Sequence, residues 1–337
     1  MAMSNLIRSL SDATFNYKPY IAFVAIIINI FHLAVLSRKS ICSNSVNVIM
    51  IAIAVSDILN VSFFIFDKLV PVDFGKSDCS SDSNTSLIIG VSVYSAREIL
   101  RRLSSWLDVL LAFVRYLIIK NPLNPSFKKV SRPLFGLVTV IISLVISTTI
   151  SMLYWTQVSI AEATPWAPDN ECATTAPPQT PQNAYISIQI LYVVDGFLRI
   201  MPSTVLPILA FLLIRELRHA AMTRRKMSFT MTKEENSDAD HTTKIVILMT
   251  ISCMTAQVPL GIVYIVQGID TSAEFQAIAT NLISMFGIFI ALNATSHPFI
   301  CLSVSSQYRK TVKEVFICGK CKPKVDVEAV GDNKHSF

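Results

Sequence analysis

Seven long apolar runs constrain the fold of this chain more than any other feature. They lie at Tyr20–Leu36, Val46–Phe66, Leu87–Ile119, Pro133–Tyr154, Tyr185–Ile214, Lys244–Val266 and Phe275–Leu302. Each is near or above the roughly 17–25 residues that a helix needs to cross a bilayer. Charged residues make up only 15% of the chain, against about 25% in ordinary soluble domains. The sequence therefore predicts an all-α membrane protein with a seven-transmembrane helix bundle.

The distribution of basic residues predicts how the bundle is oriented. With the C-terminus in the cytoplasm, 20 of the 29 Lys and Arg residues fall on the cytoplasmic side and 4 fall outside. The positive-inside rule then places the N-terminus outside. We expect an extracellular N-terminus at 1–18, a seven-helix domain at 19–304, an amphipathic helix at 305–317 and a cytoplasmic tail at 318–337. The net charge of +6 reflects this asymmetry and predicts contact with membrane lipid, not with nucleic acid.

The third apolar run is the most strongly charged of the seven. It contains Arg97, Glu98, Arg101, Arg102, Asp108 and Arg115. Charges in a bilayer are costly, so these side chains should face the bundle interior or a water-filled cavity. A helix from Arg97 to Arg115 covers roughly 27 Å at about 1.5 Å per residue, close to the roughly 30 Å hydrocarbon thickness. The charged run predicts a route for a signal or a transported solute across the membrane. Alternatively, neighbouring helices satisfy the hydrogen bonds and charges of these side chains without a ligand.

A lone carboxylate, Asp57, lies near the middle of the second run, roughly 16 Å from Val46 along a helix. It needs polar partners, a bound cation or a proton. Asn29, Ser104 and Asn293 on other runs could supply oxygen ligands. We expect no resident cofactor, with Na⁺ at Asp57 as the one candidate ion.

Two charged residues, Asp195 and Arg199, lie one turn apart in the outer half of the fifth run. They can pair with each other or with Glu98 and Arg97 on the third run. An ion-pair network and a ligand site are both open at this stage.

Cysteines and one sequon predict modifications outside the bundle. Cys79 and Cys172 are the cysteines expected outside, where an oxidising environment favours a disulfide between them. Asn84 begins a glycosylation sequon. Cys318 and Cys321 follow the amphipathic helix beside lysines, as palmitoylated cysteines do.

The chain lacks the motifs of an enzyme. It has no phosphate-binding glycine loop, no clustered His and Cys ligands and no serine–histidine–acid set. It also lacks the internal repeat of many transporters and the several polar spans of a channel. We expect no enzymatic activity, and a transporter or channel stays as an alternative.

Several landmarks resemble those of rhodopsin-like G-protein-coupled receptors. Arg115 and Tyr116 end the third run, Pro122 follows, and Asp57 lies on the second run. Further landmarks are Pro207, Pro259 and Pro298 on the last three runs. The blocks RRLSSWLDVLLAFVRYLIIKNP, LPILAFLLIRELRHA, HTTKIVILMTISCMTAQVPLGI and HPFICLSVSSQYRKTV more closely resemble the nematode serpentine receptor class W, which is similar to FMRFamide-type neuropeptide receptors. The resemblance runs from about Tyr20 to Phe316.

This resemblance implies roles for individual residues. The implied ligand-cavity residues are Arg97, Glu98, Arg101, Asp195, Arg199 and Gln257. The implied activation and G-protein coupling residues are Arg115, Tyr116, Pro122, Pro259, His297 and Pro298. The implied polar or sodium pocket is Asp57, Ser104 and Asn293, and Cys79–Cys172 would be the outer disulfide.

The chain departs from the family pattern at four positions. Val114 stands where an acidic residue usually restrains the arginine that follows, so we expect raised basal activity. Gln257 replaces the usual tryptophan of the sixth span, and His297 replaces an asparagine. Gly90 stands where the cysteine atop the third span is usual.

The resulting prediction is a plasma-membrane receptor for an FMRFamide-like neuropeptide that signals through a heterotrimeric G protein. The acidic exterior suits a basic peptide, with Glu98 and Asp195 as anchors, whereas Arg97 and Arg101 would accept a carboxylate. A chemosensory receptor for an environmental small molecule is the alternative within the same class.

Overall fold

The computed structural model describes residues 2–38, 44–69, 84–121, 127, 129–155, 158–162, 179–183, 185–227, 234–304 and 306–317. Its helices are α1 (Ala2–Leu36), α2 (Ser45–Leu69), α3 (Asn84–Lys120), α4 (Pro133–Trp155), α5 (Tyr185–Met227), α6 (Glu234–Ile269), α7 (Ala273–Val304) and α8 (Ser306–Ile317). The predicted seven-helix bundle with a short eighth helix is confirmed. The sequence did not predict the antiparallel pair of β1 (Val158–Glu162) and β2 (Gln179–Asn183). We call the end of the bundle at β1 and β2 the hairpin end.

Six of the described helices are long and apolar enough to cross a membrane. They contain Asn5–Leu36, Ser45–Leu69, Pro133–Leu153, Gln189–His219, Thr250–Ile269 and Ala273–Ser303. The remaining long helix, α3, carries the charged residues that the sequence analysis placed inside the bundle, and Arg101, Arg102 and Asp108 are indeed buried. Exposed isoleucines and valines such as Ile142 and Val145 on α4 give the bundle an apolar exterior, as a bilayer requires.

The first helix is longer than the sequence predicted, because it begins at Ala2 and not at Tyr20. Pro19 lies inside it, a position that membrane helices tolerate when neighbouring groups satisfy the freed backbone. Residues before Tyr20 therefore belong to the same helix as the first apolar run, and Lys18 becomes a bundle residue.

Glycines allow α5 and α6 to approach each other closely. A Cβ atom at Gly196 would lie 2.7 Å from the carbonyl oxygen of Gly261, and one at Gly261 would lie 2.9 Å from the carbonyl oxygen of Gly196. Real Cβ atoms do not come this near to backbone, so the contact requires glycine on both helices.

The eighth helix is anchored to the bundle by its buried side. Tyr308 is 2% exposed, and its hydroxyl lies 2.7 Å from Nδ1 of His32 on α1. Lys310 and Lys313 on the other side are exposed. Arg309 donates hydrogen bonds to the carbonyl oxygens of Leu302 and Ser303, which satisfies acceptors at the C-terminus of α7.

Candidate functional site

A network of buried ion pairs joins α3 to α5 in the hairpin half of the bundle. Asp195 accepts two hydrogen bonds from Arg102 at 2.6 and 3.1 Å and two from Arg199 at 2.8 and 2.9 Å. Arg199 also donates to Glu98. Glu98 in turn pairs with Arg101 at 3.1 Å. We call these five residues the charged network: Glu98, Arg101, Arg102, Asp195 and Arg199.

A cavity opens beside this network, between α3, α4, α5 and α6. It has about 410 Å³ of empty space, including the part that is open to solvent. Its lining consists of Tyr94, Ser95, Glu98, Arg102, Ile150, Ser151, Leu191, Tyr192, Asp195 and Tyr264. We call it the hairpin-end cavity. An apolar and aromatic lining with a few convergent polar groups is typical of small-molecule sites.

Tyr264 connects α6 to both the network and the cavity. Its hydroxyl donates to Glu98 at 3.4 Å. The guanidinium of Arg199 lies 4.2 Å from the centre of its ring, which is a favourable cation–π distance. A ligand that displaces Tyr264 therefore changes the contacts of α6 with α3 and α5 together.

The predicted cavity residues separate into three places. Glu98 and Asp195 line the hairpin-end cavity, and Arg101 and Arg199 belong to the charged network. Arg97 pairs with Asp67 on α2 at 2.8 Å and lies near the ring of Tyr94; it does not pair with Asp195 as one alternative proposed. Gln257 donates to Ser105 at 2.9 Å and ties α6 to α3.

Arg102 is the network residue that the sequence analysis left out of the ligand set. Besides Asp195, it donates to the carbonyl oxygen of Ser147 and the hydroxyl of Ser151 on α4. It therefore holds three helices together. The sequence shows that Arg102 is charged. Arg102 lies about 100° around the helix from Arg101, however, and so it is not on the helix face that was predicted to line the ligand cavity.

A second polar group lies deeper in the bundle. Ser104 donates to Asp57 at 2.8 Å. Nε2 of His297 lies 3.7 Å from one oxygen of Asp57 and 3.8 Å from one oxygen of Asp108. These three atoms and Oδ1 of Asn293 are buried without a hydrogen-bond partner among the described residues. We call this group the polar centre: Asp57, Ser104, Asp108, Asn293 and His297.

The structure adds Asp108 to the pocket and leaves Asn29 as a candidate. The side-chain nitrogen of Asn29 donates to the carbonyl oxygens of Ala25 and Ala294 and joins α1 to α7, while its Oδ1 is buried without a hydrogen-bond partner among the described residues. Within the described ranges, no group of three or more His, Cys, Asp and Glu side chains is arranged to hold a metal ion. The sodium assignment therefore stays a prediction that rests on the unpaired oxygen atoms.

Arg115 lies at the far end of the bundle in an apolar and sulfur-rich setting. It donates to the thioether of Met50 at 3.2 Å, and a thioether is a weak acceptor. In the part of the chain that the structure describes, no acidic oxygen lies within 4.0 Å of Arg115. Val114 is 2% exposed and packs in the apolar core. A cavity of about 310 Å³ beside Arg115 is lined by His32, Met50, Ile53, Leu111, Arg115, His297, Ile300 and Cys301.

The other residues predicted to couple to the G protein lie in α3, α6 and α7, apart from one that lies outside the described residues. Tyr116 accepts a hydrogen bond from Lys120 at 2.9 Å. Pro259 lies inside α6 and Pro298 inside α7, whereas Pro122 lies outside the described residues.

The modification sites are not described. Cys79, Cys172, Cys318 and Cys321 lie outside the described residues, as does the side chain of Asn84, which begins α3. The disulfide, the lipid anchors and the glycan remain predictions.

Comparison with known proteins supports the resemblance found in the sequence. The family model described as "Serpentine type 7TM GPCR chemoreceptor Srw" matches residues 15–319. No curated protein matches the chain, and no comparison supports the further similarity to FMRFamide-type receptors. The matched range covers most of the chain and includes α3, the charged network and the polar centre. The chain therefore belongs to the Srw family of serpentine seven-transmembrane G-protein-coupled chemoreceptors.

Proposed function

We propose that this chain is a chemosensory receptor that binds a small molecule in the hairpin-end cavity and signals through a heterotrimeric G protein. In this proposal it lies in the plasma membrane with the hairpin end outside. The excess of Lys and Arg in the opposite loops supports that orientation. Family membership favours a receptor over the transporter or channel alternative and over an enzyme.

The hairpin-end cavity is the observation that carries the proposal. It is a cleft between four helices that opens to solvent and is lined by convergent aromatic and polar side chains, as small-molecule sites commonly are. Three tyrosines supply aromatic surface, while Glu98, Arg102 and Asp195 supply charge. A small ligand with one or two polar groups matches this space.

The family description favours the chemosensory alternative over a peptide receptor. It names chemoreceptors, and chemoreceptors of this kind sense small molecules in the present proposal. The FMRFamide-like peptide remains a prediction from the sequence alone.

The charged network provides a path from the cavity to the rest of the bundle. Arg102 joins α3, α4 and α5, and Tyr264 adds α6. Below them, Gln257 ties α6 to α3 and lies two residues before Pro259, where a kink lets α6 move. A ligand that contacts Asp195 or Tyr264 shifts the balance between two arrangements of these helices, provided that it binds one better.

The polar centre and Arg115 complete the proposed signalling path. A sodium ion at Asp57 would satisfy the unpaired oxygen atom of that carboxylate, and Oδ1 of Asn293, which is also buried without a partner among the described residues, is a further candidate ligand. Arg115, Tyr116 and Pro122 would meet the G protein at the far end, next to the lipid-facing α8.

A cavity-filling variant tests the proposal. Leu191→Trp fills the hairpin-end cavity without removing a charge, and Ile190→Trp is the matched control, because Ile190 is 58% exposed. Cells that express each variant are screened for G-protein activation against small molecules and amidated peptides, with Arg115→Ala as a coupling control.

We expect small-molecule responses from the native chain and from Ile190→Trp. Leu191→Trp should lose the response while keeping normal surface expression. A response to peptides alone, or one that Leu191→Trp leaves unchanged, would contradict the proposal.

A further inference from the structure

Lys18 is a buried cation without an acidic partner in the part of the chain that the structure describes. Its residue is 9% exposed, and its ammonium nitrogen lies 4.1 Å from the centre of the Phe64 ring on α2. Gly287 on α7 makes room for it, since a Cβ atom there would lie 2.7 Å from the nitrogen. Among the described residues, no carboxylate oxygen lies within 4.0 Å of Lys18.

Two further cations on α3 lie at the same end of the bundle as Lys18. Phe64, which lies against the Lys18 ammonium, and Asp67, which pairs with Arg97 at 2.8 Å, are one turn apart on α2. The side of α2 that faces Lys18 therefore also faces Arg97, and Arg101 follows Arg97 by one turn on α3. Asp67 is engaged by Arg97. The Nε atoms of Arg97 and Arg101 are buried and lack an acceptor. Each of these two guanidinium groups thus has a hydrogen-bond donor without an acceptor among the described residues, on the side of the bundle where Lys18 lies.

The described surroundings of Lys18 are apolar. Below it lies a cluster made of Ala22, Ala25, Val61, Phe64, Ala291 and Ala294. Among the residues whose side chains are described, the buried and half-buried charges of the hairpin half comprise five cations and three acids. The cations are Lys18, Arg97, Arg101, Arg102 and Arg199, and the acids are Asp67, Glu98 and Asp195. Two positive charges therefore remain without a counter-charge in a setting where charge is costly.

We propose that Lys18, Arg97 and Arg101 form an anion site between α1, α2, α3 and α7, which binds the carboxylate or a similar oxyanion of the sensed molecule. An oxyanion would supply the missing acceptors and remove much of the charge excess, and arginine and lysine both bind such groups. The inference rests on the proposed function in one respect, namely that the molecule bound here is the one that the receptor senses.

Thermal unfolding of the full-length protein in detergent micelles tests the site without any G protein. Acetate is titrated against its neutral isostere acetamide, at constant ionic strength set by sodium chloride. The variants are Lys18→Met and Gly287→Ala, whose methyl group would crowd the ammonium. Lys68→Met is the matched control, because Lys68 lies at the same end but is exposed.

We expect acetate, but not acetamide, to raise the melting temperature in a saturable way. Lys18→Met should weaken the acetate dependence about tenfold or more, as loss of a charge-assisted contact does, and Lys68→Met should leave it unchanged. Without acetate, Lys18→Met should be at least as stable as the native chain, because it removes an unpaired buried charge. Equal effects of acetate and acetamide, unchanged acetate dependence in Lys18→Met, or a less stable Lys18→Met protein would overturn the inference.

A signalling assay separates failure of this inference from failure of the proposed function. Cells are screened with carboxylic acids and their amides. If acids bind the protein but no compound activates a G protein, the anion site stands and the proposed function fails. If neutral compounds activate both the native chain and Lys18→Met equally, the receptor assignment stands and the anion site is refuted.

Discussion

Charge balance in the network predicts that Asp195→Asn destabilises the protein more than Arg199→Met does. The network holds three guanidinium groups and two carboxylates, so it carries one excess positive charge. Asp195→Asn raises this excess to two and leaves Arg102 without its acidic partner. Arg199→Met instead brings the cations and acids into balance, since Arg101 stays with Glu98 and Arg102 with Asp195.

The magnitudes follow from the contacts that each change removes. Asp195 accepts four hydrogen bonds from two arginines, and leaving a buried charge without its partner costs about 3–5 kcal/mol. Arg199→Met removes hydrogen bonds to charged acceptors that keep another arginine, for which about 1.5–3 kcal/mol is expected. We therefore expect the two free energies of unfolding to differ by about 2 kcal/mol.

The double variant Asp195→Asn with Arg199→Met sharpens the test. Its network again carries one excess positive charge, as in the native chain. We expect it to be more stable than Asp195→Asn alone, although it removes one more side chain. Such a positive coupling is the mark of residues within one network.

The assay is thermal unfolding of the ligand-free, full-length protein in detergent, with Asp270→Asn as the control. Asp270 is an exposed acid at the hairpin end, and its loss should change the melting temperature little. The reasoning is refuted if Arg199→Met is at least as destabilising as Asp195→Asn, or if the double variant is less stable than Asp195→Asn.

Three further changes probe other parts of the bundle. Gly261→Val should destabilise the protein by about 1–3 kcal/mol, because a Cβ atom there lies 2.9 Å from a backbone oxygen of α5, whereas the lipid-facing change Ile262→Val should alter the melting temperature little. Met50→Glu should lower ligand-independent G-protein activation by giving Arg115 a carboxylate in place of a thioether, while Met50→Leu should not; an unchanged basal signal in Met50→Glu would contradict this. Replacing sodium with N-methylglucamine should lower the melting temperature of the native protein but not of Asp57→Asn, and an equal drop in both would remove sodium from the polar centre.

The architecture was predictable because a bilayer imposes a length and a polarity on every span. Runs of about 20 apolar residues can do little else than cross it. The same cost of buried charge predicted that the polar residues of α3 face inward, and Arg102 and Asp108 are buried as that argument requires. Ser104 was named among the possible oxygen partners of Asp57, because a carboxylate in the middle of a span needs polar partners, and it donates to Asp57 at 2.8 Å.

Pairing within the bundle was not predictable to the same degree. Helical periodicity gives the face on which a residue lies, but not how far each helix is rotated toward its neighbour. The sequence left several pairings open, and the structure shows Arg199 with both Asp195 and Glu98. Arg97, one of the alternatives for Asp195, meets Asp67, and Arg102 lies beside Asp195. The tyrosines of the cavity lie on three helices and share no motif. They become a site only when the helices are packed.

The proposed anion site at Lys18 favours one of the two ligand charges that the sequence left open. The loops assigned to the outside are acidic, which favours cationic ligands, yet charges exposed to solvent are screened beyond about 8 Å at physiological salt. Inside the bundle the effective dielectric constant is lower, so an unpaired cation such as Lys18 acts more strongly on a bound ligand. With the proposed anion site, we expect the loop charges to influence the approach of a ligand, whereas the buried cations hold the ligand once it is bound. An acidic molecule that approaches slowly and is held tightly satisfies both, and for that reason we expect raising the salt concentration to speed its association, while Lys18→Met mainly speeds its dissociation.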